Sequence, residues 1–177
     1  MGDDMSKTRT RPKTTTQTSG RQPRATGRPQ SVAFSVSRLG AAVGSELSRA
    51  LQPLGIEPRH FGLLRALSLS EGETQRAVGT RLGLHPNRMV DLVDELERRK
   101  LVRRRPHPSD RRAHTVVLTA AGEKLLQEAF MFAIGIERTL CADLSEDERT
   151  QLLDLLSRLR VIDGTPPGVH PGLAGTA

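Results

Sequence analysis

Two clusters of arginine dominate the chemistry this sequence offers. Arg103-Arg104-Arg105 and Arg111-Arg112 stand on either side of Pro106-His107-Pro108-Ser109-Asp110. A guanidinium stays charged at physiological pH and presents a flat fork of N–H donors. It is therefore no acid–base catalyst, but it grips phosphate and enters narrow, negative grooves of duplex DNA. The five histidines, His60, His85, His107, His114 and His170, fall at no zinc-ligand spacing with Cys or acidic partners, and Cys141 is the single cysteine. There is no Ser/His/Asp order, no phosphate-binding loop and no G-x-G-x-x-G after a strand. These residues point to binding rather than catalysis, and no metal or cofactor is expected.

The distribution of charge supports a directional footprint. The 177 residues carry a net charge of +7. Residues 98–114 hold eight Lys/Arg against Asp110, a local +7, and residues 1–30 hold seven against two acids, a local +5. The rest of the chain is then at −5, so two basic blocks ride on a mildly acidic body. Residues 1–30 are rich in Thr, Gln, Pro, Gly and Arg and read as a disordered basic arm, either a source of nonspecific phosphate affinity or a solubilising tail. Residues 163–177 read as a second disordered tail. With no Trp, no Tyr and four Phe, the chain lacks the stacking platforms of single-strand binders. The single cysteine and the absence of a long apolar run or leader lead to the expectation of a cytoplasmic protein that spans no membrane.

Hydrophobic periodicity supplies the elements that must hold these side chains. Val32, Val36, Leu39, Val43 and Leu47 recur every three or four residues, which predicts an amphipathic helix from Ser31, its N-cap, to about Leu51. Pro58 opens a second helix that carries Phe61, Leu64 and Leu67. Thr74 caps a short helix with Ala77, Val78 and Leu82, and Gly83 allows a sharp turn. His85 and Pro86 then open another helix, which buries Met89, Leu92, Val93 and Leu96. Two short helices joined by a tight turn form a helix-turn-helix, and Asn87 and Arg88 begin the exposed face of the second, where base edges are reached in a major groove.

Beyond Lys100 the period changes to two. Leu101–Arg105 and His114–Leu118 predict a hairpin around the proline-rich loop, with arginines at its tip, and a hairpin directly after a helix-turn-helix is a wing. Thr119 caps a long helix with a stripe of Leu125, Ala129, Phe132, Ile136 and Leu140. Ser145-Glu146-Asp147-Glu148 is a capping box before a last helix bearing Leu152, Leu155, Leu156 and Leu159. The terminal helices carry apolar stripes with no other core to cover, so a second copy of the chain is the expected partner. The fold class is mainly α: a winged helix-turn-helix with a small β-hairpin wing and an N-/C-terminal helical dimerisation region. The ordered body is expected over 31–162, with dimerisation helices at 31–52 and 120–162 and a DNA-binding lobe at 57–119.

The stretch Leu101–Gly122, with Asp110-Arg111-Arg112 followed by Leu118-Thr119-Ala120-Ala121-Gly122, resembles the wing signature of the MarR (multiple antibiotic resistance regulator) family. Thr74-Gln75, Leu82-Gly83-Leu84 and Leu92-Val93 with Leu96 fit the same register. The resemblance covers about residues 31–162. It implies a homodimeric regulator of transcription, usually a repressor, that straddles a pseudo-palindromic duplex operator and responds to a small anionic or aromatic effector. It implies DNA contacts by Gln75, Arg76, Pro86, Asn87, Arg88, Arg103, Arg105, Arg111 and Arg112. Asp110 would pair with an arginine to shape the wing, and Arg38 and His60 would line an effector pocket.

Three positions depart from the family pattern. Lys100 stands where a glycine usually ends the recognition helix. Asp91 and Glu95 stand where basic residues are common, and there they repel phosphate; Asp91 is either a reader of cytosine N4 or a solvated acid. The peroxide-sensing branch places its cysteine near the first helix with tyrosine donors, whereas Cys141 lies near the other end of the chain. Two alternatives remain beside the repressor reading: a winged-helix module that binds protein, and a regulator switched by oxidation of Cys141.

Overall fold

A computed structural model describes residues 31–70, 72–110 and 112–159. The basic arm over 1–30, the tail over 163–177 and Arg111 lie outside the described residues. The described elements run α1 (Val32–Leu51), α2 (Pro58–Ser68), α3 (Gln75–Arg81), α4 (Pro86–Arg98), β1 (Val102–Pro106), β2 (His114–Leu118), α5 (Ala120–Leu140) and α6 (Glu146–Ser157), with a 3-10 turn, Gln52–Leu54, after α1.

Each helix begins where a side chain satisfies its free N–H groups. The Ser31 hydroxyl accepts from Phe34 N–H at 3.4 Å, Thr74 from Ala77 N–H at 3.1 Å, and Thr119 from Gly122 N–H at 3.1 Å. Ser145 and Glu148 form the reciprocal capping box of α6. Pro58 and Pro86 occupy first-turn positions, where the missing N–H costs nothing. Gly83 sits at φ 65° between α3 and α4, a conformation that glycine adopts without strain.

Lys100 is left-handed as well, at φ 59°. Its N–H reaches Glu97 O at 2.8 Å and Leu101 N–H reaches Leu96 O at 3.0 Å, the two bonds of a Schellman ending. The helix thus closes in the geometry that glycine would provide, with a lysine in place.

The core gathers Leu63, Leu64 and Leu67 of α2, Val78 of α3, Met89, Val93 and Leu96 of α4, Val102 and Val116 of the hairpin, and Leu126 and Ala129 of α5. Each fully buried leucine or valine contributes about 1.5–3 kcal/mol. Phe61 and Phe130 meet edge to face, their centroids 5.3 Å apart.

The strands pair antiparallel, with Arg103 opposite Val117 and Arg105 opposite Thr115, and Thr74 bridges to Thr115 on the far side of β2. The start of α3 is thereby tied to the hairpin. A Cβ on Gly122 would collide with the Leu101 carbonyl, so α5 leaves the hairpin at a contact that only glycine permits.

The long helix differs from its expected single stripe. Leu126, Ala129, Phe130 and Ala133 face the core, whereas Phe132 and Leu140 are exposed with Met131 and Ile134. The helix leaves the lobe partway along, so its two halves face different neighbours. Val32, Phe34, Val36 and Leu39 of α1 and Leu152, Leu153, Leu155 and Leu156 of α6 are also exposed, and α6 buries no residue.

Candidate nucleic-acid interface

Strand alternation sorts the three arginines of β1. Arg103 and Arg105 project into solvent, while Arg104 turns back toward the helices. Its Nε donates to Gln75 Oε1 at 3.0 Å, Nη1 to Glu97 Oε2 at 2.5 Å and Nη2 to Asp94 Oδ1 at 2.5 Å. The Arg104 backbone N–H also donates to Glu97 Oε1 at 2.8 Å. One guanidinium therefore joins α3, α4 and β1, the three elements that carry the expected contacts. These bonds are not visible in the sequence because they link positions on three separate elements.

Gln75 accordingly has a second task. Its amide oxygen accepts from Arg104, which fixes the side chain and leaves the NH₂ group and one lone pair for an outside partner. Arg76 is exposed beside it. On α4, His85 caps the first turn by accepting Asn87 N–H at 3.4 Å, and Pro86 and Asn87 are exposed. Arg88 is half-buried and its Nε is buried without a hydrogen-bond partner. Between α3 and α4 lies an open groove of about 710 Å³, walled by Gln75, Arg76, Thr80, Pro86 and Val90 and floored by Met89.

At the wing tip the Asp110 carboxylate accepts Arg112 N–H at 2.9 Å, and Ala113 N–H donates to the Asp110 carbonyl at 3.0 Å. Among the described residues Asp110 thus folds the tip through its carboxylate and its carbonyl, each accepting from a backbone N–H. Arg112 is exposed, and Arg111 lies outside the described residues. His107 Nδ1 lies 3.2 Å from Ser109 Oγ, which stiffens the other side of the turn.

One expectation needs correction. Glu95 does not stand where a phosphate would meet it. It turns to α2, with Oε2 3.0 Å from His60 Nε2 and 3.6 Å from Arg59 Nη2. The His60 ring holds the Glu95 carboxyl below the usual carboxylate range, with Arg59 and Arg99 adding and burial opposing. His60, for its part, is 1% exposed and lines neither the groove between α3 and α4 nor the one between α1 and α5. Its Nδ1 accepts Glu57 N–H at 3.0 Å in the capping box of α2, while its buried Nε2 lies at ion-pair distance from Glu95 without a hydrogen-bond partner. Its sequence neighbours Pro58 and Phe61 do not disclose this role, because histidine is an unusual occupant of that capping position.

A second groove, of about 540 Å³, lies between α1 and α5 and is lined by Ala42, Val43, Ala50, Met131, Phe132, Ile136 and Leu140, with Glu46 as its carboxylate. Arg38 is exposed one turn before Ala42 and is not part of the lining. Cys141 caps the end of α5, its Sγ 3.8 Å from Glu137 Oε1. No group of three or more His, Cys, Asp or Glu suited to a metal ion occurs among the described residues. None of the described helices is long and apolar enough to cross a membrane.

Comparison with known proteins agrees with this architecture. Residues 54–113 match the MarR family. CouR from Rhodococcus jostii RHA1, solved bound to p-coumaroyl-CoA, is 32% identical and superposes with a TM-score of 0.62 over 73% of this chain and 94% of its own. The transcriptional repressor CouR bound to a 23-mer DNA duplex is 30% identical, with a TM-score of 0.65 over 72% and 90% of the two chains. The transcriptional repressor Rv2887 of Mycobacterium tuberculosis is 29% identical over 122 residues, 69% of this chain and 88% of that protein. These relatives are regulators of transcription and not enzymes. With its helix-turn-helix, arginine-bearing wing and outlying terminal helices, the chain belongs to the MarR family of transcriptional regulators.

Proposed function

We propose that the protein is a sequence-specific, duplex-DNA-binding repressor that acts as a homodimer and releases its operator when a small aromatic or anionic effector binds. The observation that carries this reading is the Arg104 junction, which ties α3, α4 and the wing into one surface and leaves Arg103, Arg105 and Arg112 exposed on the hairpin. Pro86, Asn87 and Arg88 enter the major groove at the first turn of α4, Gln75 and Arg76 meet the flanking backbone, and the wing arginines Arg103, Arg105, Arg111 and Arg112 reach phosphate and the minor groove. Two recognition helices about one helical turn apart, roughly 34 Å, fit a palindromic site.

The exposed apolar faces of α1, α5 and α6 support a second copy as their cover. The dimerisation helices at 31–52 and 120–162 would then flank the lobe at 57–119. The groove between α1 and α5 is the seat we assign to the effector, with Arg38 one turn away to meet an anionic group. Relatives bound to p-coumaroyl-CoA and to salicylic acid support an aromatic acid or its thioester as the class.

Selection of bound duplexes from a random library, followed by mobility-shift titration, tests the reading. A discrete palindrome bound by a dimer, and released by aromatic acids or their thioesters, is the expected result. Enrichment of no discrete site overturns it in favour of a protein-binding module.

A further inference from the structure

The recognition helix carries an apolar side chain where packing does not call for one. Val90 is 42% exposed, although the α4 core face is fully served by Met89, Leu92, Val93 and Leu96. A β-branched residue on an exposed helix position is a weak helix former, so neither propensity nor burial accounts for it. Its neighbours narrow what it can meet. Pro86, one turn earlier, is exposed and also apolar on its ring, and both line the open groove between α3 and α4 with Arg76. Asp94, one turn later, turns its Oδ1 to the Arg104 guanidinium and so leans toward β1.

Between Arg76, which suits phosphate, and an Asp94 drawn toward Arg104, the helix therefore offers an apolar patch made of the Val90 methyls and the Pro86 ring. In a major groove the one apolar feature of a base pair is the C5-methyl of thymine. The geometry points to Val90, seated beside Pro86, as a specificity-determining residue that recognises a thymine methyl group. This inference rests on the proposed duplex-binding role and specifies what one position of the site must be.

The test uses the full chain and the duplex recovered by selection. Each thymine in that site is replaced in turn by deoxyuridine, which removes the methyl and leaves every hydrogen-bonding group in place. One position in each half-site is expected to weaken wild-type binding roughly three- to fivefold, the worth of one buried methyl. Val90→Ala is expected to bind the thymine and deoxyuridine duplexes equally at that position and to keep the wild-type response at all others. Val90→Thr, which retains one methyl, should fall between the two. Because Val90 lies outside the core, circular dichroism should show both variants folded. If wild type and Val90→Ala respond alike to deoxyuridine at every position, the assignment of Val90 is overturned while sequence-specific binding stands. If selection returns no discrete site, both are overturned.

Discussion

Glu97 and Arg104 are bonded twice across the gap between α4 and β1: one carboxylate oxygen accepts the Arg104 backbone N–H, and the other accepts its guanidinium. Arg104→Ala leaves Glu97 and Asp94 facing each other without the charge that reconciles them. Urea unfolding should show a loss of about 1–3 kcal/mol. DNA affinity should fall as well, with the salt slope nearly unchanged, because Arg104 spends its donors inside the protein. A slope reduced by a full unit would mean that Arg104 contacts phosphate instead.

The same contacts set the acid limb of stability. The Arg104 backbone N–H holds the Glu97 carboxyl below the usual range, the guanidinium adds to this, and burial and Asp94 oppose it. Glu95 is lowered chiefly by His60. A carboxyl whose folded value is depressed stabilises the fold fully above its unfolded value and loses that contribution as pH falls through the folded one. Urea midpoints should accordingly decline between about pH 5 and pH 3. Glu97→Gln should start lower at neutral pH and decline less steeply over that interval. Parallel curves for the two proteins would refute the role given to Glu97.

Wing arginines should behave differently from Arg104. Replacing Arg103, Arg105 or Arg112 with Ala should each reduce the slope of log affinity against log salt by about one. The joint Arg111→Ala and Arg112→Ala protein should lose roughly 1–3 kcal/mol of binding. A mobility-shift titration at several salt concentrations checks both figures, and unchanged affinity of the double variant would remove the wing from the interface.

Lys100 offers a gain. Its φ of 59° places an L-residue where glycine carries no steric penalty. Lys100→Gly should raise stability by about 0.5–1 kcal/mol, the strain relieved less the extra freedom of the unfolded chain. Thermal or urea unfolding would detect it, and a loss of stability would show that the lysine side chain contributes more than its backbone costs.

The apolar face of α6 predicts an assembly. Leu152→Glu combined with Leu156→Glu should convert a dimer to a monomer in sedimentation velocity at micromolar concentration. The lobe should stay folded, because α6 supplies no buried residue to the core. A dimer that survives both charges would place the interface elsewhere.

Much of this fold is legible in local sequence. The caps at Ser31, Thr74, Thr119 and Ser145, the prolines opening α2 and α4, and the change of period after Lys100 are all short-range signals; each of these helices starts where they place it, and β1 starts one residue later, at Val102. Wing arginine exposure follows from alternation alone, which is why Arg103 and Arg105 separate from Arg104. What could not be read depends on how elements cross. Glu95 looks like a base-facing acid until α2 is seen against it, and His60 looks accessible until its burial and the bond to its Nδ1 are seen. The α5 stripe divides because the helix outruns the lobe, a property of its packing and not of its periodicity.

Gly122 has a mechanical consequence. Thr119 N–H and Oγ1 both donate to the Leu101 carbonyl, and Oγ1 also reaches the Lys100 carbonyl at 2.7 Å. With no Cβ at Gly122 to hold the chains apart, the first turn of α5 is clamped against the residues that close α4 and begin β1. The joint has no slack. A tilt of α5 about its first turn would have to carry the root of the hairpin and the end of α4 with it, which would make the far end of this 21-residue helix a long handle on the arginines of the wing.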